Sequence, residues 1–161
     1  MMGVDEDLLR RVAELLKEKR LKIATAESCT GGMLGNLLTN IPGSSEYFDR
    51  GVISYSNRAK MELLGVSEET LRTYGAVSEQ TAREMAEGIR RRSKADIGIS
   101  ITGIAGPTGG TREKPVGLVY IGISTDKETI VRRFQFGGER IANKEMACNA
   151  ALSMLLEVLQ A

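Results

Sequence analysis

The segment Asp96-Ile97-Gly98-Ile99-Ser100-Ile101-Thr102 is a nearly continuous apolar run. A strand of that kind is buried on both faces, and such strands occur in sheets that carry helices above and below. This stretch therefore constrains the fold more than any other. It argues against an all-helical bundle and against an antiparallel sheet with one wet face. A glycine-rich loop, Gly103 to Gly110, follows it directly.

The flanking segments agree. Residues 5–20 place Leu8, Leu9, Val12, Leu15 and Leu16 at helical spacing, with acids at the start and bases at the end that complement the helix dipole. Leu21 to Ala26 reads as a short strand, and a helix is expected from about Thr30 to Asn40. Phe48 to Tyr55 is the next strand. A helix then starts at Ser56 or Asn57, runs through Leu64 and is ended by Gly65. Ser67 and Ser78 each begin a segment as helix caps. The second of these helices carries Ala82, Met85, Ala86 and Ile89 on one face and ends in Arg90-Arg91-Arg92, read as a solvated terminus. Val116–Thr125 and Glu128–Phe136 form strands around a tight turn at Asp126-Lys127. The last helix, about Glu139 to Leu159, is apolar on more than one face, so it is either central or covered by another subunit. A homodimer or higher homo-oligomer is the expectation. The fold class predicted is α/β: a single three-layer α/β/α domain over residues 1–161, with a mixed sheet and helices on both faces.

Composition removes several classes of function. The 161 residues contain no histidine, so neither a Ser-His-Asp nor a Cys-His mechanism can be built within the chain. Histidine-based zinc sites are excluded, and two cysteines cannot make a four-thiolate site, so no metal is expected. With 22 basic and 21 acidic residues the net charge is +1, which excludes a strongly basic nucleic-acid binder. Aromatic residues amount to 4%, too few for base-stacking platforms. Met1 to Asp7 does not read as a signal peptide, and no run of about 18 apolar residues occurs. The expectation is a cytoplasmic protein with no nucleic-acid or membrane partner.

Four junctions between elements carry the residues on which chemistry could be built. In Thr25-Ala-Glu-Ser-Cys-Thr-Gly-Gly32, Ser28 lies between a strand end and a helix start, near free backbone N–H groups. It is either a nucleophile with its own oxyanion site or, with Thr30, a helix cap. Cys29 is read as a small buried packing residue, the alternative being a reactive thiol. Glu27 is a general base, an ion-pair partner or a solvated carboxylate. In Gly51 to Lys60, Tyr55 and Lys60 are either a base pair for a serine, as the lack of histidine requires, or a core tyrosine and a surface lysine. The loop Gly103-Ile-Ala-Gly-Pro-Thr-Gly-Gly110 is a ligand-approach loop or a flexible turn; it is neither a Walker nor a dinucleotide-binding motif. Arg140, after Gly137-Gly138-Glu139, clamps a phosphate or carboxylate, or makes an ordinary ion pair.

Taken together, Thr25-Ala-Glu-Ser-Cys-Thr-Gly-Gly32, Gly51-Val-Ile-Ser-Tyr-Ser-Asn57 with Lys60, Gly75-Ala-Val-Ser78, Thr102-Gly-Ile-Ala-Gly-Pro107 and Lys114-Pro-Val-Gly117 closely resemble the CinA C-terminal domain family, from about residue 5 to 159. Stand-alone members of that family are nicotinamide mononucleotide (NMN) deamidases; longer members add an N-terminal molybdopterin-binding-like domain, and the chain looks like the stand-alone form. The resemblance implies hydrolysis of the NMN carboxamide to nicotinate mononucleotide and ammonia, with no cofactor or metal. It implies Ser28 as nucleophile, with Tyr55 and Lys60 completing the site, Thr102 and Arg140 at further functional positions, and Ser45 near the reacting group. Substrate contacts are expected from Thr30, Gly31, Gly32, Gly103, Ala105, Gly106 and Arg140. The competing expectation is a nucleotide- or partner-binding module without turnover, since the longer relatives are associated with competence and DNA damage.

Overall fold

The computed structural model describes residues 3–161; the reading of Met1–Asp7 includes Met1 and Met2, which lie outside them. One mixed sheet organises the chain. Its strands are β1 (Ile23–Glu27), β2 (Phe48–Ile53), β3 (Ile97–Gly103), β4 (Leu118–Ser124) and β5 (Thr129–Gln135), in the order β2-β1-β3-β4-β5. β2, β1 and β3 are parallel, while β4 and β5 form the antiparallel hairpin expected around Asp126-Lys127. β3 is central and buried along nearly its whole length. The three-layer α/β fold inferred from that one run is therefore observed.

The helices are α1 (Glu6–Glu18), α2 (Met33–Thr39), α3 (Asn57–Leu64), α4 (Glu68–Tyr74), α5 (Glu79–Ser93) and α6 (Arg140–Gln160). Alternation along β1 divides them into two layers. Ile23 joins a core with α1, α2 and α6, whereas Ala24 and Ala26 face α3, α4 and α5. The caps read from the sequence hold the second layer: Ser56, Ser67 and Ser78 each accept the backbone N–H three residues on, and Gly65 ends α3 in the left-handed region. Ala82, Met85, Ala86 and Ile89 are the buried face of α5.

One open alternative is decided, in favour of a central last helix, and one expectation changes. The apolar faces of α6 are covered within the chain, by α1 and by the sheet: Leu152, Met154, Leu155 and Leu159 belong to the same core as Leu9, Val12 and Leu16. No second subunit is needed to account for them. The helix expected from Thr30 begins only at Met33, because Gly31 and Gly32 adopt φ of 60° and 101°. Those left-handed conformations stop a helix and suit glycine alone. Ser28 thus leads a turn of several residues rather than sitting at a helix tip.

The α3–α5 crossing fixes one side of the candidate site, and Gly88 makes it possible. A Cβ at Gly88 would lie 1.9 Å from the Leu64 carbonyl oxygen, with helix backbone on both sides. Gly88→Ala is expected to cost about 1–3 kcal/mol or more through overpacking. Urea unfolding checks this: the midpoint falls and the slope stays the same.

Candidate functional site

β1 and β3 are adjacent parallel strands whose connections leave in opposite directions, toward β2 and toward β4. Ligands in open α/β sheets settle beyond the carboxyl ends of strands at such a switch point. A cleft of about 300 Å³ lies there, lined by Ser28, Tyr55, Lys60, Thr102, Arg140 and the loop after β3. That volume is at the small end for a small-molecule site. A larger crevice, about 410 Å³, lies at the opposite end of the sheet among Lys19, Arg90, Lys94 and Lys127, with no serine or cysteine in its walls.

Ser28 follows the last residue of β1, and its N–H donates to the Ile101 carbonyl of β3 at 2.9 Å. Lys60 comes from the first turn of α3 and is 1% exposed. Its Nζ lies 3.1 Å from Ser28 Oγ, 2.9 Å from the Ser54 carbonyl and 3.2 Å from the Tyr55 carbonyl. No carboxylate pairs with it among the described residues. Burial therefore dominates, and the Lys60 amine sits below the ordinary lysine pKa. In the neutral form, two N–H bonds go to the two carbonyls and the lone pair is left for the Ser28 hydroxyl. This is the geometry of a serine hydroxyl beside a base.

Around that pair, the N–H groups of Cys29 and Thr30 have no acceptor among the described residues. The same holds for the N–H groups of Ala105, Gly106, Thr108 and Gly109 in the loop after β3. The carbonyls of that loop are held by α6: Arg140 donates to Gly106 O at 2.6 Å, and Asn143 donates to Ala105 O at 2.9 Å. Thr102 closes the back wall, donating to the Ala76 carbonyl at 2.8 Å.

Ser28, Lys60, Thr102, Gly103, Ala105, Gly106 and Arg140 thus converge as expected. Tyr55 is there too, in a different role. Its side chain is 62% exposed, and its hydroxyl is 3.4 Å from the Arg140 guanidinium; what it gives Lys60 is its backbone carbonyl. Alternation beyond the strand end sends the phenol outward, and the Ser28 hydroxyl meets Lys60 Nζ directly. Thr30, Gly31 and Gly32 do not line the cleft; Thr30 is buried and donates to Glu27 at 2.5 Å.

Ser45 is a correction. It lies in a 3-10 turn, Ser44–Glu46, that precedes β2, and its carbonyl accepts from Lys22 at 3.4 Å. β2 runs parallel to β1, with Phe48 beside Ile23 and Ile53 beside Glu27. Ser45 therefore sits at the amino end of the sheet, a full strand length from Ser28.

Cys29 is 7% exposed and its thiol is pushed up to about 11, chiefly by burial. At neutral pH it is a packed thiol, as expected. Sequence reasoning missed the Ala76–Val77 wall and the roles of Ser54 and Asn143. Ala76, Val77 and Ser54 lie inside segments quoted for the family resemblance, whereas Asn143, one of several polar residues in the first half of α6, left no signal of its burial.

The fold and cleft define an α/β protein with a serine–lysine pair at a sheet switch point. Comparison places it more closely: the CinA C-terminal domain profile matches residues 5–159, and the chain belongs to that family. It is 58% identical over 154 residues to a relative from Caldicellulosiruptor bescii named as competence-damage inducible (95% of this chain, 38% of the relative). It is 53% identical over 161 residues to a CinA-like protein of Chloroherpeton thalassium (98% and 38%). The chain thus spans about two fifths of the length of these relatives. A solved structure, the competence/damage inducible protein CihA from Agrobacterium tumefaciens, superposes with a TM-score of 0.94 at 42% identity over 100% of both chains. A CinA superfamily protein from Klebsiella pneumoniae gives 0.93 at 37% identity, over 96% of this chain and 97% of the other. No helix among the described residues is long and apolar enough to cross a membrane.

Because the folded Lys60 amine has a lowered pKa, the unfolded chain binds more protons between that value and the ordinary lysine value of about 10.4. Wild type should therefore gain stability relative to Lys60→Met as pH rises through that window. Paired denaturation curves between pH 7 and 10 check it; a constant difference would show Lys60 titrating normally.

Proposed function

We propose that the chain is an amidohydrolase that converts NMN to nicotinate mononucleotide and ammonia, with Ser28 as nucleophile and Lys60 as base. The observation that carries this reading is the 3.1 Å approach of Lys60 Nζ to Ser28 Oγ, with two carbonyls occupying the other donors of the amine. The family resemblance supplies the substrate, and the depressed lysine pKa suits the chemistry.

The steps follow from the positions. Neutral Lys60 takes the Ser28 proton as Oγ attacks the carboxamide carbon. The developing oxyanion is met by the free N–H of Cys29; a donor of this kind is typically worth about 3 kcal/mol. The Lys60 ammonium returns its proton to the departing nitrogen, and ammonia leaves. Lys60, neutral again, draws a proton from water, which hydrolyses the acyl-serine. Cys29, with its raised pKa, takes no part. The unpaired N–H groups of the Ala105–Gly109 loop, with Arg140, face the cleft from the other side and suit the ribose phosphate. Tyr55 steadies that guanidinium at the mouth. NMN, the proposed small-molecule substrate, is thus gripped at its phosphate end and cut at its amide end.

Ammonia release from NMN by the purified chain tests the reading, alongside a panel of other pyridine and nucleotide amides. Ser28→Ala should lose release entirely and keep its fold. Calorimetric binding of NMN without ammonia from wild type would identify a binding module instead. Lys60→Met should slow turnover by about 10²–10⁴-fold. In wild type, kcat/KM should rise with pH and level off above the Lys60 pKa, since the neutral amine is the active form; that limb should be absent from the variant. Arg140→Gln should raise KM for NMN far more than for its dephosphorylated riboside, as paired steady-state runs would reveal.

A further inference from the structure

The structure assigns Glu27 as the positioning residue that holds the nucleophile, the Cys29 oxyanion donor and the base in one frame. This rests on the serine–lysine reading above and adds to it a residue that touches none of the reacting atoms.

Glu27 is the last residue of β1 and is 1% exposed. It is neither a base, an ion-pair partner nor a solvated carboxylate. Its side chain turns to the α2 layer, away from Lys60, and no cation pairs with it among the described residues. Three donors converge on it instead. Thr30 Oγ1 donates to Oε1 at 2.5 Å, Leu34 N–H to Oε1 at 3.0 Å and Gly35 N–H to Oε2 at 2.8 Å. An acceptor-only group is required, because a Gln amide would set its NH₂ against one of these donors. Burying a carboxylate without a cation is costly unless every lone pair is engaged, so packing alone would be better served by an apolar residue.

What the three bonds accomplish is local. They bridge Glu27 to Thr30 and to the start of α2, so the intervening Ser28-Cys29 segment has both ends tied. That segment carries Ser28 Oγ and the unpaired N–H of Cys29. The main chain of Glu27 does the same for the base. Its carbonyl accepts the Ser54 N–H at 2.8 Å, and the Ser54 carbonyl in turn accepts from Lys60 at 2.9 Å.

The test measures Ser28 reactivity apart from any substrate. An alkyl fluorophosphonate probe reacts when Ser28 Oγ bonds to phosphorus, fluoride leaves and Lys60 takes the proton. Its rate of attachment to Ser28, followed by mass spectrometry, is compared with ammonia release from NMN in wild type, Glu27→Gln, Thr30→Val and Thr30→Ser, each checked for fold by circular dichroism. Expected are losses of about 10²-fold in labelling rate and in kcat for Glu27→Gln, and roughly tenfold for Thr30→Val, the scale of a misplaced reacting group. KM should stay within about twofold and the midpoint of the pH profile should not move, because Lys60 keeps its surroundings. Thr30→Ser should restore both rates. A folded Thr30→Val with wild-type labelling and kcat would overturn the assignment, as would a wild type whose Ser28 is never labelled. Should Glu27→Gln not fold, Thr30→Val alone decides. Labelling of wild type without ammonia from NMN would refute the deamidase reading while the labelling rates still judge Glu27.

Discussion

A lysine nitrogen with no carboxylate beside it and almost no water is the constraint on which the site rests. An isolated ammonium is expensive to bury, and the chain meets that cost by lowering the pKa and by offering two carbonyls from the β2–α3 junction. This is also how a chain without histidine holds an amine below the ordinary lysine range beside a serine hydroxyl. The arrangement works only if α3 starts at one place and lies close to α5. The Ser56 cap sets the start, and the missing Cβ of Gly88 sets the distance.

β1 is the partition that keeps the two buried charges of the site from cancelling each other. Glu27 faces the α2 layer and Lys60 reaches Ser28 from the α3 layer, although Glu27 and Ser28 are neighbours in the chain. Had both side chains fallen on one face, an ion pair would have formed and the lysine would have remained protonated at working pH. Each charge is instead solvated by backbone dipoles, which are fixed in place by secondary structure and need not reorganise as charge moves during the reaction. The amino end of α2 is occupied by Glu27, which accepts the Leu34 and Gly35 N–H groups, so in the proposed reaction the oxyanion would be left to the Cys29 N–H.

Much of the architecture was legible in the residues. The apolar run of β3 required helices on both faces, Ser67 and Ser78 announced α4 and α5 in advance, and the absence of histidine pointed to Lys60. What was hidden concerns direction and distance. Nothing local says that a parallel β2 carries Ser45 to the far end of the sheet, since sequence proximity to Tyr55 suggests the opposite. Nor does periodicity tell which way Tyr55 turns at a strand end, where alternation governs and the phenol goes outward. The glycines at 31 and 32 announced flexibility, but only their φ values reveal a turn long enough to separate Ser28 from α2. The apolar surplus on α6 invited a second subunit because one helix viewed alone cannot show that α1 lies across it.

α6 also explains how a loop rich in glycine becomes a rigid wall. Its first turns present Arg140 and Asn143, and both spend donors on carbonyls, those of Gly106 and Ala105. The Ala105 carbonyl, drawn toward Asn143, turns the Gly106 N–H of the same peptide the other way, whereas the Gly106 carbonyl belongs to the peptide of Pro107, which has no N–H to turn. Asn143 is itself fixed, since its Oδ1 accepts the Gly138 N–H at 2.9 Å ahead of the helix. The loop therefore owes its shape less to its own composition than to two polar side chains on a helix more than thirty residues away. Half of what shapes the loop is thus written in α6 and not in the glycine pattern.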